Sequence, residues 1–99
     1  MKVPVDMANS DAILDYVCEV YRVKKSEIVS SNRSHELVEV RCIAIHIIRT
    51  VIGMKLKAIG KIFGRDHSTI IYNLQLFNDL MFSSPEFKRK FRMVQRIIE

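Results

Sequence analysis

The sequence predicts one all-α domain of five to six helices built around a helix-turn-helix. Three observations carry this. Apolar residues recur at three- and four-residue steps along most of the chain. Only two prolines and three glycines interrupt them. A length of 99 residues leaves room for a single modest core. The apolar fraction of 48% and charged fraction of 27% are those of an ordinary globular protein. Internal repeats, low-complexity tracts and linkers are not found in it, so residues 1–99 read as one domain.

From Asp11 to Tyr21 the positions Ile13, Leu14, Val17, Cys18 and Tyr21 form one apolar stripe, with Asn9 or Ser10 as N-cap. A short turn at Lys25–Ser30 follows, with Ser26 as a candidate cap and Ile28 and Val29 facing inward. Next comes a polar loop, Ser31-Asn32-Arg33-Ser34-His35. Glu36–Ile52 is apolar on nearly every face, which marks a buried helix, and Gly53 ends it. Its length exceeds that of an ordinary strand, despite its many β-branched residues. A short basic helix, Leu56–Phe63, comes after. Gly64-Arg65 turns the chain, and Asp66 caps a long helix through Phe82 with an inner stripe of Ile70, Ile71, Leu74, Phe77 and Met81. Ser84 and Pro85 restart the chain as N-cap and N1 of a last helix, Pro85–Ile98. That helix is expected to bury Phe87, Phe91, Val94 and Ile97 or Ile98, and to show Lys88, Arg89, Lys90, Arg92 and Arg96 to water.

Charge is unevenly placed. The chain carries a net +5, yet residues 1–50 hold seven basic and seven acidic groups while residues 51–99 hold nine and four. A basic second half implies a polyanionic partner. The most apolar stretch, Leu37–Met54, contains Glu39, Arg41, His46 and Arg49 and so does not suit a bilayer. The first residues, MKVPVDMANSD, lack the apolar segment of a secretion signal. Cys18 and Cys42 lie far apart on helical stripes with no CxxC spacing, so the plain reading is two buried reduced thiols in a bacterial or phage cytoplasm, with a disulfide between them as the minority alternative. With three histidines and no paired Cys/His spacing, neither a metal nor any other cofactor is expected.

The informative stretch is Lys55–Tyr72, KLKAIGKIFGRDHSTIIY: a short helix, a tight turn and a longer helix. Leu56, Ile59, Ile62 and Phe63 are placed to pack under Ile70 and Leu74. That leaves the polar His67, Ser68, Thr69 and Tyr72 outward at the start of the long helix. Short hydrogen-bonding side chains there suit major-groove reading, because such a helix enters end-first. Its positive end also favours phosphate. Asp66 has two readings. As an N-cap it needs only the amide of Ser68 or Thr69, and in a groove it accepts from cytosine N4 or adenine N6.

Enzyme readings fail on geometry. Asp66-His67-Ser68 has the letters of a hydrolase triad, but consecutive helical side chains point about 100° apart and do not converge. Gly60-Lys61 lacks the spacing and the Ser or Thr of a phosphate-binding loop, so neither ATP binding nor catalysis is expected. His46 reads as a core histidine.

The run Ile59-Gly60 … Phe63-Gly64-Arg65-Asp66-His67-Ser68-Thr69-Ile70 resembles the signature of the C-terminal DNA-binding domain (domain IV) of the bacterial replication initiator DnaA. The likeness extends from about Asp11 to Phe82 and implies the Trp-repressor-like fold of that family, with its helix-turn-helix at about residues 55–82. It also implies a set of DNA contacts: Arg33, Ser34, Arg41, Arg49, Leu56, Lys57, Arg65, Asp66, His67, Ser68, Thr69 and Tyr72. Within that set, Asp66, His67 and Ser68 would face bases and Thr69 a phosphate. Arg33 would enter the adjacent minor groove. Arg41, Arg49 and the backbone around Leu56 and Lys57 would meet phosphates. The sequence departs from the family pattern in having one glycine before Arg65, Ser68 in place of threonine, and Glu39 and Cys42 at positions that commonly help at the DNA backbone. The resemblance implies binding to double-stranded DNA, with DnaA-box-like sites as candidate targets and a part in replication initiation or its regulation; the sequence does not fix the oligomeric state, and a monomer is the favoured expectation. A transcriptional regulator, a protein-interaction module with a basic face, and an RNA binder are the alternatives. Against RNA, the basic residues have no aromatic platform interleaved with them.

Overall fold

A computed structural model describes residues 8–96, and among these every regular element is helical. Helix α1 (Ser10–Tyr21) begins at Asn9, whose side chain accepts from the amides of Asp11 and Ala12. It ends at Arg22, which takes a left-handed conformation with no glycine to mark the stop (φ 56°). Helix α2 is a single turn, Lys25–Ile28. Its start is set by Glu27, whose carboxylate accepts from the Lys24 amide at 3.0 Å. Ser26, the expected cap, lies inside the turn instead.

Helix α3 (His35–Ile47) is capped by Ser34 and is the central element, with Val40, Cys42, Ile43, Ala44, Ile45 and Ile47 fully buried. Its all-round apolar pattern is explained by neighbours: α1, α2 and α5 all pack against it. The expected single helix through Ile52 widens at Ile48–Ile52 into one π-helical turn, which closes at Gly53. Helix α4 (Leu56–Phe63), helix α5 (His67–Ser83) and helix α6 (Pro85–Gln95) complete the fold. Ser84 caps α6 through the amide of Phe87, with Pro85 at the first helical position.

Two packing expectations need correction. Ile71 is exposed, whereas Leu74 and Met81 pack against the core as expected, so the inward stripe of α5 runs Ile70, Asn73, Leu74, Phe77 and Met81. Asn73 tolerates burial because its side-chain amide donates to the Thr69 carbonyl at 2.8 Å. Lys90 turns inward rather than to water, with its side chain 21% exposed. Its ammonium lies 2.9 Å from Glu39, whose other carboxylate oxygen lies 3.2 Å from His35 Nε2, and Tyr21 donates its hydroxyl proton to the Lys90 carbonyl. Glu39 thus ties α3 to α6. Ile97 and Ile98 lie outside the described residues. His46 packs as expected, stacked on Phe77 at 3.7 Å with Phe91 edge-on. Both cysteines are free and buried. Among the described residues, no helix is long and apolar enough to cross a membrane.

Candidate nucleic-acid interface

Helices α4 and α5 meet as a helix-turn-helix. The amphipathic α4 buries Ile59 and Phe63 and leaves Lys57 and Lys61, one turn apart, in solvent. The turn is made by two glycines with different tasks. Gly64 adopts the left-handed conformation (φ 64°) that ends α4. Gly60 allows a close approach, since a β-carbon there would sit 2.3 Å from the Arg65 carbonyl oxygen. The Arg65 amide then donates to the Gly60 carbonyl at 2.8 Å.

Asp66 is the N-cap of α5, accepting from the Thr69 amide at 2.9 Å. That hydrogen bond holds its carboxyl below the usual carboxylate pKa. His67 and Ser68 are exposed, Thr69 is half-buried and Tyr72 is 61% exposed. The expected polar face at the start of α5 is therefore present and open.

The polar loop between α2 and α3 lies beside this end of α5. It is organised by short side chains: the Asn32 amide donates to Ser30 Oγ and the Ser34 amide to Asn32 Oδ1. Arg33 projects from it, exposed. Between loop and helix runs a cleft of about 710 Å³, lined by Arg33, Arg41, Arg65, Thr69 and Tyr72 among others. A second cleft of about 560 Å³ lies between α4 and the start of α5, lined by Lys57, Lys61, Arg65, Asp66 and His67 with Gly60 and Gly64. Arg65 belongs to both walls. Lys61 was not singled out from the sequence, although its spacing from Lys57 places the two on one face of α4.

Arg41 departs from expectation. The resemblance implies a phosphate contact, but this residue is only 4% exposed and lies beneath the loop. Its Nε donates to the Ile28 carbonyl at 2.7 Å, and its Nη2 reaches those of Asn32 (3.0 Å), Ser30 (3.2 Å) and Glu27 (3.4 Å). Burial, with the Arg65 charge second, lowers its pKa. Arg65 is likewise engaged, donating to the carbonyls of Phe63 (2.7 Å) and Ser30 (2.6 Å). Its pKa too is lowered by burial, then by Arg33. Both guanidiniums remain charged at neutral pH. Ser34 serves as the cap of α3, and Arg49, on the π-helical turn, donates to the Met54 carbonyl while remaining exposed. Ser34, Arg49, Leu56 and Ser68 line neither cleft.

Comparison with known families matches residues 10–76 to the bacterial dnaA protein helix-turn-helix. The chain is 30% identical to the chromosomal replication initiator protein DnaA of Jannaschia sp. (strain CCS1) over 90 residues, 90% of this chain and 19% of that protein. It is 32% identical to DnaA 2 of Chlamydia pneumoniae over 88 residues, and 32% identical to DnaA of Lactococcus lactis subsp. cremoris (strain MG1363) over 85. These cover 89% and 85% of this chain, and 20% and 19% of those proteins. The chain thus spans about a fifth of the length of the curated relatives it matches.

Proposed function

The chain belongs to the bacterial DnaA helix-turn-helix family, and from that premise we propose that it is a sequence-directed binder of double-stranded DNA. In this reading the first turns of α5 enter a major groove end-first, with Asp66, His67 and Ser68 at base edges and Tyr72 along the groove wall. Arg33 reaches into the adjacent minor groove. Thr69, Arg49, Lys57 and the backbone at Leu56 meet phosphates, and Lys61 extends that set on the face of α4.

One observation carries the reading. The cleft beside Arg33 has the loop as one wall and the open polar face of α5 as the other. A duplex strand passing between two grooves needs such a channel, with cations on both sides. The net +5, gathered in the second half of the chain, supplies the long-range attraction. The relatives are named as replication initiators. The corresponding role here is occupancy of initiator-type sites, in initiation or its regulation, with no catalytic step.

Mobility shifts with duplex, single strand and RNA side by side test the class of partner, and duplex alone should be retained at physiological salt. Footprinting on DnaA-box-like repeats against a scrambled control then tests sequence direction. Useful occupancy needs discrimination of roughly 10³ or more over random DNA. Diffuse, equal protection on both duplexes would reject sequence direction. No binding to any nucleic acid would leave the basic half as a docking face for an acidic protein.

A further inference from the structure

We infer that Arg41 is a positioning residue whose buried fork, together with Arg65, fastens the loop carrying Arg33 to the turn between α4 and α5, so that loop and helix-turn-helix engage DNA as one unit. The inference rests on the DNA reading above, and goes beyond it by giving Arg41 a task that involves no phosphate.

The loop needs an external fastening. From the end of α2 to Ser34, the cap of α3, residues 29–34 form no helix, and their internal ties are short side-chain bonds. Backbone carbonyls in such a segment take donors from elsewhere or open to water. Arg41 supplies those donors from below to Ser30 and Asn32, and anchors itself to α2 through the Ile28 carbonyl, with a longer contact to Glu27. Arg65 supplies one more from the side of the helix-turn-helix. Its Nη2 meets the same Ser30 carbonyl that Arg41 holds, while its Nη1 grips the Phe63 carbonyl at the end of α4. One oxygen is therefore shared between a clamp rooted in α3 and a clamp rooted in the turn. Arg33 is three residues further on.

The chemistry asks for arginine at position 41. A planar guanidinium with five donors serves several carbonyls at once, whereas an ammonium offers a point charge that reaches one or two. A phosphate contact accepts either side chain. With the clamp in place Arg33 is presented already ordered. Without it, the loop must be ordered during binding, and the affinity falls accordingly.

The test uses the whole chain and a duplex selected from a random pool. Arg41→Met and Arg41→Lys are each expected to weaken binding about tenfold. In an Arg33→Ala background the same changes should cost less than about twofold, because nothing is left to position. The slope of log K against log[salt] should be the same for Arg41→Met as for the unsubstituted protein. Wild-type binding by Arg41→Lys, an undiminished effect without Arg33, or a slope shallower by about 0.9 would each overturn the inference in favour of a phosphate contact.

Thermal unfolding shows whether the Arg41 variants fold. If they do not, Arg65→Lys replaces them, on a partly exposed side chain. A coupling of about threefold or more with Arg33→Ala is then expected, and additive effects would refute the shared fastening. A measurement without DNA stands apart from the binding reading. Backbone ¹⁵N order parameters of Asn32, Arg33 and Ser34 should fall below about 0.6 in Arg41→Met, or in Arg65→Lys if it replaces it. Unchanged values would overturn the clamp. A protein that does not prefer its selected duplex would instead overturn the DNA reading, and leave the clamp to be decided by the order parameters.

Discussion

Asp66 sits where a helix start and a groove-facing surface coincide, and the two demands are separable by chemistry. As a cap it accepts from the Thr69 amide, and asparagine also does this. As a base reader it offers only acceptors, whereas asparagine also donates. Asp66→Asn, which keeps the acceptor but loses the charge, is therefore expected to lower the melting temperature only slightly and to reduce discrimination between selected and random duplex by about tenfold or more. Unaltered discrimination would restrict the residue to capping. Its lowered pKa means that the cap's contribution is complete above the unfolded value, about 3.9, and is lost as pH falls through the lower folded value. His46 acts at higher pH. Burial against Phe77 and Phe91 lowers its pKa, so the unfolded chain takes up a proton first. Stability should then be full above about pH 6.5 and decline as pH falls from there through the folded value. In urea titrations from pH 7.5 to 5, His46→Gln should flatten that limb, and an identical limb in the variant would exclude His46 as its source.

Among the elements, the helix-turn-helix depends on a contact that has no side chain at its centre. Gly60 lies under the Arg65 carbonyl, and a methyl group there meets backbone that cannot swing aside. Gly60→Ala is expected to destabilise by about 1–3 kcal/mol in chemical denaturation. It should also weaken duplex binding at temperatures where the variant remains folded, by shifting α4 against α5. Stability within error of wild type would mean that the turn has slack. Most elements were legible because their signals are local: Asn9, Asp66 and Ser84 are the caps that the sequence marks, whereas Ser34, read as a loop residue, caps α3, and Ser26 does not cap the short α2. What escaped was set by partners distant in the chain. Lys90 belongs to a basic run that reads as solvated, but Glu39, 51 residues earlier, draws it inward. Arg41 reads as a surface cation, but the carbonyls that enclose it belong to α2 and the loop. Periodicity reports which face of a helix is apolar, and says nothing about a charge whose complement comes from another element.

At the scale of the whole molecule, the interface reading has an electrolyte signature. With Arg41 occupied beneath the loop, the cations left to displace counterions are Arg49, Lys57 and Lys61 at phosphates and Arg33 in the minor groove, all exposed. Three to four such cations correspond to a slope of log K against log[salt] of about −2.7 to −3.6 for duplex. Fluorescence anisotropy across a salt series measures it directly. A slope near zero would be incompatible with groove binding of any kind. The polar face of α5 was legible as a candidate site because it is continuous in sequence. The cleft beside it was not, since its walls come from residues 29–41 and 64–73 and meet only through the tertiary fold.

The two thiols also make the molecule its own clock. Cys42 is fully enclosed on α3 and burial pushes its thiol up to about 12, while Cys18 lies on the inner face of α1 with its pKa raised as well. Only a thiolate attacks a disulfide reagent, so neither sulfur reacts at a useful rate until the fold opens around it. Cys18 is released when α1 detaches, whereas Cys42 is released only when the centre of the molecule comes apart. Quenched labelling with mass detection should show modification at Cys18 preceding modification at Cys42. In a Cys18→Ala background, Cys42 labelling under fast-reclosing conditions should follow the global unfolding free energy as urea is raised. Simultaneous labelling at every urea concentration would instead mean that the helices part from one another in a single event.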